Sequence, residues 1–427
     1  MITPVNRDRL SAARARSAAR ASSDVVSASS SEFADRVSEL LLCDPPDVER
    51  LCEMIALEFE LDEPDATSAI RQVAAAANAR LFPALDHLEL IHTEGCNLAC
   101  SYCCEKEMLG YRRMSHEVAR KGIDLFLQYA RDVEHLSILH FGGEPTVNFA
   151  AVRTATEYAE QRAAESGKTV EFHMTSNGIL FNEVMVDYFA EHEIMVLLSM
   201  DGLQESHDRY RRDRLGRGTF ERALNSLRLL KSRQPWIGIK MTVMPQNVER
   251  LFSDVRALYG FGVNQFLIGH ATGVPWSEDR IQEYGSQMAQ LRAWFLAEQR
   301  SDLRIEAFEN EDSGRSYFGC RAGRNSITVS VDGQVSPCAK ILGLGSKQIL
   351  AKLGDVEHGL THLRTRLELN HTHKLRRQCE DEGVAREYRG GCFASNFSAR
   401  RDLFKPALED HKIDLLLRGI CAGCGGH

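Results

Sequence analysis

The stretch His87-Leu88-Glu89-Leu90-Ile91-His92-Thr93-Glu94-Gly95-Cys96-Asn97-Leu98-Ala99-Cys100-Ser101-Tyr102-Cys103 decides the fold of this chain. A strand-length apolar run ends in a loop that carries three cysteines, with three and then two residues between them. Five more such runs follow, at 136–141, 170–175, 194–200, 237–244 and 265–268. Each is of the kind buried in a parallel sheet. Helical patterns lie between them. Phe220, Ala223, Leu224, Leu227 and Leu230 form one stripe. Val248, Leu251, Phe252 and Val255 form another, behind Asn247 as a predicted N-cap. Strands alternating with helices predict a parallel α/β fold. Six units fall short of the eight that close a full barrel, so the expectation is a partial (β/α)6 barrel of the TIM type over residues 84–302.

Outward from this core the pattern changes on both sides. Residues 1–31 read as a disordered basic tail: Arg7, Arg9, Arg14, Arg16 and Arg20 face a single acid, Asp8, within the first 23 positions, and 27–31 is rich in serine. An organelle transit peptide has a similar composition. Residues 32–83 read as helices, with five acids between positions 58 and 65. After residue 302 a strand, an Asp332-Gly333 turn and a second strand open a cysteine-rich α+β domain, 303–427.

The chain has 427 residues, 43% apolar and 26% charged, with a formal charge of −8. That length suggests two or three domains with ordinary globular cores. The acidic balance argues against a nucleic-acid coat or a partner for anionic membranes. No apolar run reaches the ~18 residues of a membrane helix. Twelve cysteines follow no secretory signal. Metal or redox chemistry in a reducing, cytoplasmic setting is therefore expected over a disulfide scaffold. Arg209, Arg211, Arg212, Arg214 and Arg217 surround Tyr210, which reads as a nucleic-acid patch or as a solvated face.

Cys96, Cys100 and Cys103 suit one small metal cluster. A cubane iron–sulfur cluster has four irons, so three local thiolates leave one iron open for substrate or cofactor. A structural zinc site asks for a fourth nearby ligand; Cys104 is adjacent in sequence.

The cysteine loop on the first strand of a βα repeat resembles the radical S-adenosylmethionine (SAM) enzymes. Gly142-Gly143-Glu144-Pro145 ends the second strand, Thr175-Ser176-Asn177-Gly178 the third and Ser199-Met200-Asp201-Gly202 the fourth. His207-Asp208-Arg209-Tyr210-Arg211 and Gly216-Arg217-Gly218-Thr219-Phe220 follow. The series is similar to the peptide- and protein-modifying maturases that carry a C-terminal SPASM or twitch domain, over roughly residues 87–410. The resemblance implies a 4Fe-4S cluster on Cys96, Cys100 and Cys103 with SAM chelated to its open iron. It implies that Gly142 and Gly143 allow close backbone approach. Glu144 would meet the SAM ammonium, Ser199 and Arg211 its carboxylate, Tyr102 the adenine, and Ser176 and Asn177 the ribose or sulfonium. One electron, from a reductant such as flavodoxin or ferredoxin, would then release a 5′-deoxyadenosyl radical that takes a hydrogen atom from the substrate.

Cys320, Gly333 and Cys338 resemble the opening of the SPASM pattern, and Arg389-Gly390-Gly391-Cys392 its later segment. Places where that pattern has further cysteines hold Glu382, Tyr388 and His411. The expectation is one auxiliary iron–sulfur cluster on Cys320, Cys338 and Cys392, with Cys379 as a fourth ligand; a zinc site or free thiols are the alternatives. Cys421 and Cys424 with His427 read as a metal-binding or a Gly-rich tail, His358, His362, His371 and His373 as surface histidines, and Cys43 and Cys52 as core.

Together these readings predict a radical SAM maturase acting on a precursor peptide or protein, which it crosslinks, converts to a thioether or epimerises. Residues 32–83 resemble the helical part of peptide-recognition domains and would grip a leader; alternatively they form a layer on the main domain. Formylglycine maturation of a sulfatase is a second reading, although enzymes of that type carry an aspartate where this chain has Ala339. A non-catalytic cluster scaffold and a zinc-dependent nucleic-acid module are the others.

Overall fold

The apolar runs become the strands they predict: β1 (His87–Ile91), β2 (His135–Phe141), β3 (Thr169–Ser176), β4 (Met195–Ser199), β5 (Gly238–Val243) and β6 (Gln265–His270). The structure, a computed structural model, describes residues 41, 48–58, 61–298, 301–309, 320–344, 352–370, 377, 381, 383 and 391–422. The tail predicted over 1–31, together with Cys43, Cys379, Cys424, His371 and His373, lies outside them.

β1 to β6 are parallel neighbours in sequence order. Short additions extend both sides: β7 (Arg304–Ile305) lies parallel to β6, and β8 (Ser326–Val329) lies parallel to β1. β9 (Gln334–Ser336) and β10 (Gly354–Asp355) continue antiparallel from β8. The mixed α/β architecture with its open parallel barrel is the predicted one. The hairpin is present as expected, and it joins the same sheet through His87↔Ser326 to Leu90↔Val329.

Among the described residues, the helices α1 (Val48–Glu58) and α2 (Glu63–Leu81) precede the sheet. The strand connections are α3 (His116–Ala130), α4 (Phe149–Glu165), α5 (Glu183–Glu191), α6 (Gln204–Tyr210), α7 (Phe220–Lys231), α8 (Leu251–Gly260) and α9 (Glu278–Glu298). Then come α10 (Glu306–Glu309), α11 (Ala339–Leu342), α12 (Leu363–Asn370), α13 (Phe393–Arg400) and α14 (Leu408–Ala422). The predicted α7 stripe is buried throughout. Asn247 does not cap α8. It precedes a 3-10 turn, Val248–Arg250, and its Oδ1 accepts the Met244 N–H instead.

Strand periodicity positions the site. In β5, Ile239, Met241 and Val243 enter the core, while Lys240 and Thr242 are half-buried on the other face. Glu89 stands likewise between buried Leu88 and Leu90. One apolar core runs from Leu85 to Ile413 and takes residues from both sides of position 303. A second core joins α1 and α2 to Leu363 of α12.

Arg366 fastens that joint. It is 1% exposed and lies over the Phe82 ring. Its Nε and Nη2 donate to the carbonyls of Gly323 and Arg324, and its Nη1 donates to Asn78 Oδ1 at 2.5 Å. Asn78 Nδ2 donates onward to the Leu360 carbonyl at 2.8 Å. His358 is not the surface histidine expected. It is half-buried in the turn after β10, where Nδ1 meets Asp355 at 2.8 Å. Asp355 first and Cys52 second raise the His358 pKa to about 10.

Arg366→Met is expected to cost about 3 kcal/mol, since buried carbonyls and an amide lose a charged donor. Urea unfolding measures it, and an unchanged midpoint would refute it. His358 sets a pH signature. Its folded pKa lies above the unfolded value of 6.5, so its stabilisation is full below about 6.5 and fades as pH rises toward about 10. The stability gap between wild type and His358→Gln should shrink over that window.

Candidate functional site

The cysteine loop leaves the C-terminal end of β1 and is pinned from two sides. The Leu98 N–H donates to Cys96 Sγ at 3.4 Å and the Cys103 N–H to the Cys100 carbonyl at 3.1 Å. From the end of α6 and the segment after it, the Tyr210 carbonyl accepts the Ser101 N–H at 3.2 Å and the Arg212 carbonyl accepts the Ala99 N–H at 2.8 Å. Arg214 Nε donates to the Cys96 carbonyl at 2.9 Å.

The three thiols are partly buried. Burial pushes Cys96 up to about 12, and Glu144, Cys100 and Cys103 add repulsion. Burial also raises Cys100 and Cys103. Among the described residues, no three His, Cys, Asp or Glu side chains gather tightly enough for a single metal ion. The donor set suits a polynuclear cationic group, which holds its cysteines as thiolates and removes their mutual repulsion.

Gly142 and Gly143 do permit a close approach, and the partner is the loop's own backbone. Gly142 has φ +130°, and a Cβ on it would stand 2.5 Å from the Thr93 carbonyl. A Cβ on Gly143 would stand 2.5 Å from the Gly95 carbonyl. The Gly143 and Glu144 N–H groups donate to the carbonyls of Thr93 and Gly95, both at 2.9 Å. The end of β2 is thus laced to the start of the cysteine loop.

Glu144 is 1% exposed. Its carboxyl accepts from the Thr146 N–H and hydroxyl, from Ser176 Oγ at 2.8 Å and from the Asn177 N–H at 2.8 Å. Burial raises its pKa, and only neutral donors oppose that. A buried carboxyl with no cation beside it among the described residues suits an ammonium. Ser176 and Asn177 therefore hold Glu144. Asn177 Nδ2 also reaches Asn97 Oδ1 at 2.8 Å, and Asn97 Nδ2 is buried without a partner.

Asp201 is the residue whose role the sequence did not signal, although it lies in the Ser199-Met200-Asp201-Gly202 motif. One carboxylate oxygen accepts from the Tyr102 hydroxyl and from Arg211 Nε, the latter at 2.8 Å. The other accepts the Thr242 N–H at 2.9 Å. The Arg211 guanidinium lies 5.6 Å from the Tyr102 ring centre. Asp201 raises the Arg211 pKa against the burial that lowers it, so the cation persists. Burial raises the Cys100 pKa and Arg211 partly offsets that rise, which places the ion pair beside the triad. Ser199, the last residue of β4, is buried two residues before Asp201.

Cys320, Cys338 and Cys392 form a second group. Burial pushes Cys320 up to about 11, with Cys392 adding repulsion. Cys338 is raised by burial, Glu89, Cys392 and Cys320. Its Sγ caps α11 by accepting the Ile341 N–H at 3.4 Å. Cys379 lies outside the described residues. Two carboxyls were not foreseen here. Glu89 accepts the Ala339 N–H at 2.9 Å. Glu105 is buried with both oxygens unpartnered, and burial with Glu89 pushes it up to about 8.

Residues 90–258 match the Radical SAM superfamily. A serine-type anaerobic sulfatase-maturating enzyme of Bacteroides thetaiotaomicron is 31% identical over 143 residues, 32% of this chain and 34% of that enzyme. The chain thus aligns with about a third of that relative's length. The structure of native anSMEcpe with bound AdoMet and Cp18Cys peptide has TM-score 0.59 at 21% identity, covering 80% of this chain and all of that one. Streptococcus suis SuiB bound to precursor peptide SuiA has TM-score 0.56 at 16% identity, covering 79% of each.

Gly143→Ala should displace the cysteine loop. It is expected to lower iron uptake on anaerobic reconstitution and to cost about 1–3 kcal/mol from overpacking against backbone. Gly260→Ala, whose Cβ meets nothing within 4 Å, is the control. Equal iron content in both would refute the lacing.

Proposed function

We propose that this radical SAM protein, related to sulfatase maturases and precursor-peptide modifiers, abstracts a hydrogen atom from a residue of a peptide or protein substrate. The observation that carries this reading is the gathering of the Cys96, Cys100 and Cys103 thiols, the cation-free Glu144 carboxyl and the Arg211–Asp201 pair. They meet at the C-terminal strand ends, where parallel barrels keep their chemistry. When bound, a four-iron cluster with SAM supplies a one-electron cleavage of the sulfonium and so a hydrogen-abstracting carbon radical.

The chain's own groups bind and orient. Glu144, held by Thr146, Ser176 and Asn177, receives the SAM ammonium. Arg211 keeps Nε on Asp201 and offers its terminal nitrogens to the SAM carboxylate, with Ser199 alongside. Tyr102, fixed through its hydroxyl, presents its ring toward the adenine. Cys320, Cys338 and Cys392, with Cys379 as fourth ligand, hold one auxiliary cluster. Residues 84–302 form the catalytic unit and 303–427 the auxiliary unit, while 32–83 contact the substrate leader.

A second reading, oxidation of a sulfatase cysteine or serine to formylglycine, draws on the names of the relatives and on Glu89. That carboxyl reaches position 339 from β1, although residue 339 is itself alanine.

The test is anaerobic reconstitution of wild type and Cys100→Ala, with iron and sulfide counts and a 5′-deoxyadenosine assay after SAM and dithionite. Wild type alone should form product, with about eight irons per chain for two four-iron clusters. Product with about four irons would remove the auxiliary cluster, and product from both proteins would overturn the assignment of the triad. Conversion of a serine or cysteine in a sulfatase-derived peptide would select the second reading.

A further inference from the structure

The arginine cluster around Tyr210 has no role in the reading above, apart from Arg211, and its placement gives it one. Of the acids in this segment, Asp208 and Asp213 turn inward and Glu221 is exposed. Asp213, 7% exposed, accepts the Leu215 and Arg217 N–H groups at 2.9 and 3.0 Å. Asp208 accepts the Thr219 and Phe220 N–H groups at 2.7 and 2.8 Å, at the start of α7. The arginines turn outward. Arg209, Arg212, Arg214, Arg217 and Arg222 are all exposed, Arg217 and Arg222 pairing with Asp213 at 2.7 and 3.9 Å, and Leu215 is 76% exposed. The chain as a whole carries −8. A compact basic face on an acidic protein draws an acidic partner to that face, while the rest of the surface repels it.

The same hairpin is the outer layer of the cysteine loop. Leu98 bridges Asp213, the Arg212 carbonyl holds the Ala99 N–H, and Arg214 holds the Cys96 carbonyl. One thickness of backbone therefore separates the basic face from the triad.

We propose that residues 209–222 are the docking surface for an acidic one-electron carrier of the ferredoxin type. This rests on the iron–sulfur reading of the triad. The reduced carrier gives up one electron and becomes its oxidised form; the iron–sulfur group proposed for Cys96, Cys100 and Cys103 takes that electron. No bond or proton moves in this step. Leu215 supplies apolar contact at the centre, and the arginines steer and set register.

The test compares full-length reconstituted wild type with Arg209→Glu/Arg212→Glu, whose side chains hydrogen-bond the Gln246 and Gly216 carbonyls and not the cysteine loop. The probe is an acidic bacterial two-cluster ferredoxin, with Kd measured by calorimetry across a salt series. The variant is expected to bind roughly tenfold or more weakly, and wild-type affinity alone should fall with salt. Dithionite-driven 5′-deoxyadenosine formation should be unchanged in the variant. Equal Kd values would overturn the proposal. So would a DNA duplex that binds the wild type more tightly than ferredoxin and loses that binding in the variant. Absence of product with dithionite in both proteins would instead sink the radical reading, while the Kd comparison would still decide the docking surface.

Discussion

A carboxylate sealed from water sets the geometry around the triad. The Asp201 side chain has no exposed surface, so its charge must be matched inside the protein. The matching groups come from separate parts of the chain: Tyr102 from the cysteine loop, Arg211 from the end of α6 and the Thr242 N–H from β5. Only one mutual arrangement of these parts satisfies the charge. The alternative is a buried cation and a buried anion apart from each other, which costs several kcal/mol per ion. The position of the loop is thereby tied to the sheet behind it.

The two buried carboxyls of the site are in different electrostatic states. Asp201 has its cation. Glu144 has neutral donors on both oxygens and a pKa raised by burial. Holding such a group by backbone and hydroxyl donors fixes its direction and leaves its charge available. The glycine pair contributes differently. With no Cβ at 142 or 143, the β2 end lies against Thr93 and Gly95, so Glu144 and the cysteines share one frame.

The six parallel strands were legible because buried strands need continuous apolar runs, and turn residues bounded those runs. The cysteine loop and the strand-end motifs were legible because three cysteines within eight residues are rare by chance and because each motif closes an apolar run. What escaped the sequence depended on long-range pairing. Nothing local marks Ser326–Val329 as the neighbour of β1, and a two-residue strand such as Arg304–Ile305 has no period to read. Asp201 lies in the Ser199-Met200-Asp201-Gly202 motif, but its role appears only once Arg211 and Tyr102 arrive from elsewhere in the chain. Asn247 has the residue type of an N-cap and spends its side chain on Met244. His358 lay in a polar stretch and gained a partner through the turn after β10.

The joint made by Arg366 and Asn78 has a consequence in time. The Asn78 amide and the Leu360 carbonyl are 282 residues apart. At ribosomal rates of about 5–20 residues per second, α1 and α2 are complete roughly a quarter of a minute to a minute before α12 leaves the tunnel. Throughout that interval the apolar positions that will meet Leu363 have no permanent cover. The N-terminal helices of the nascent chain therefore need cover over that interval, and a product cut short before residue 360 never closes that joint.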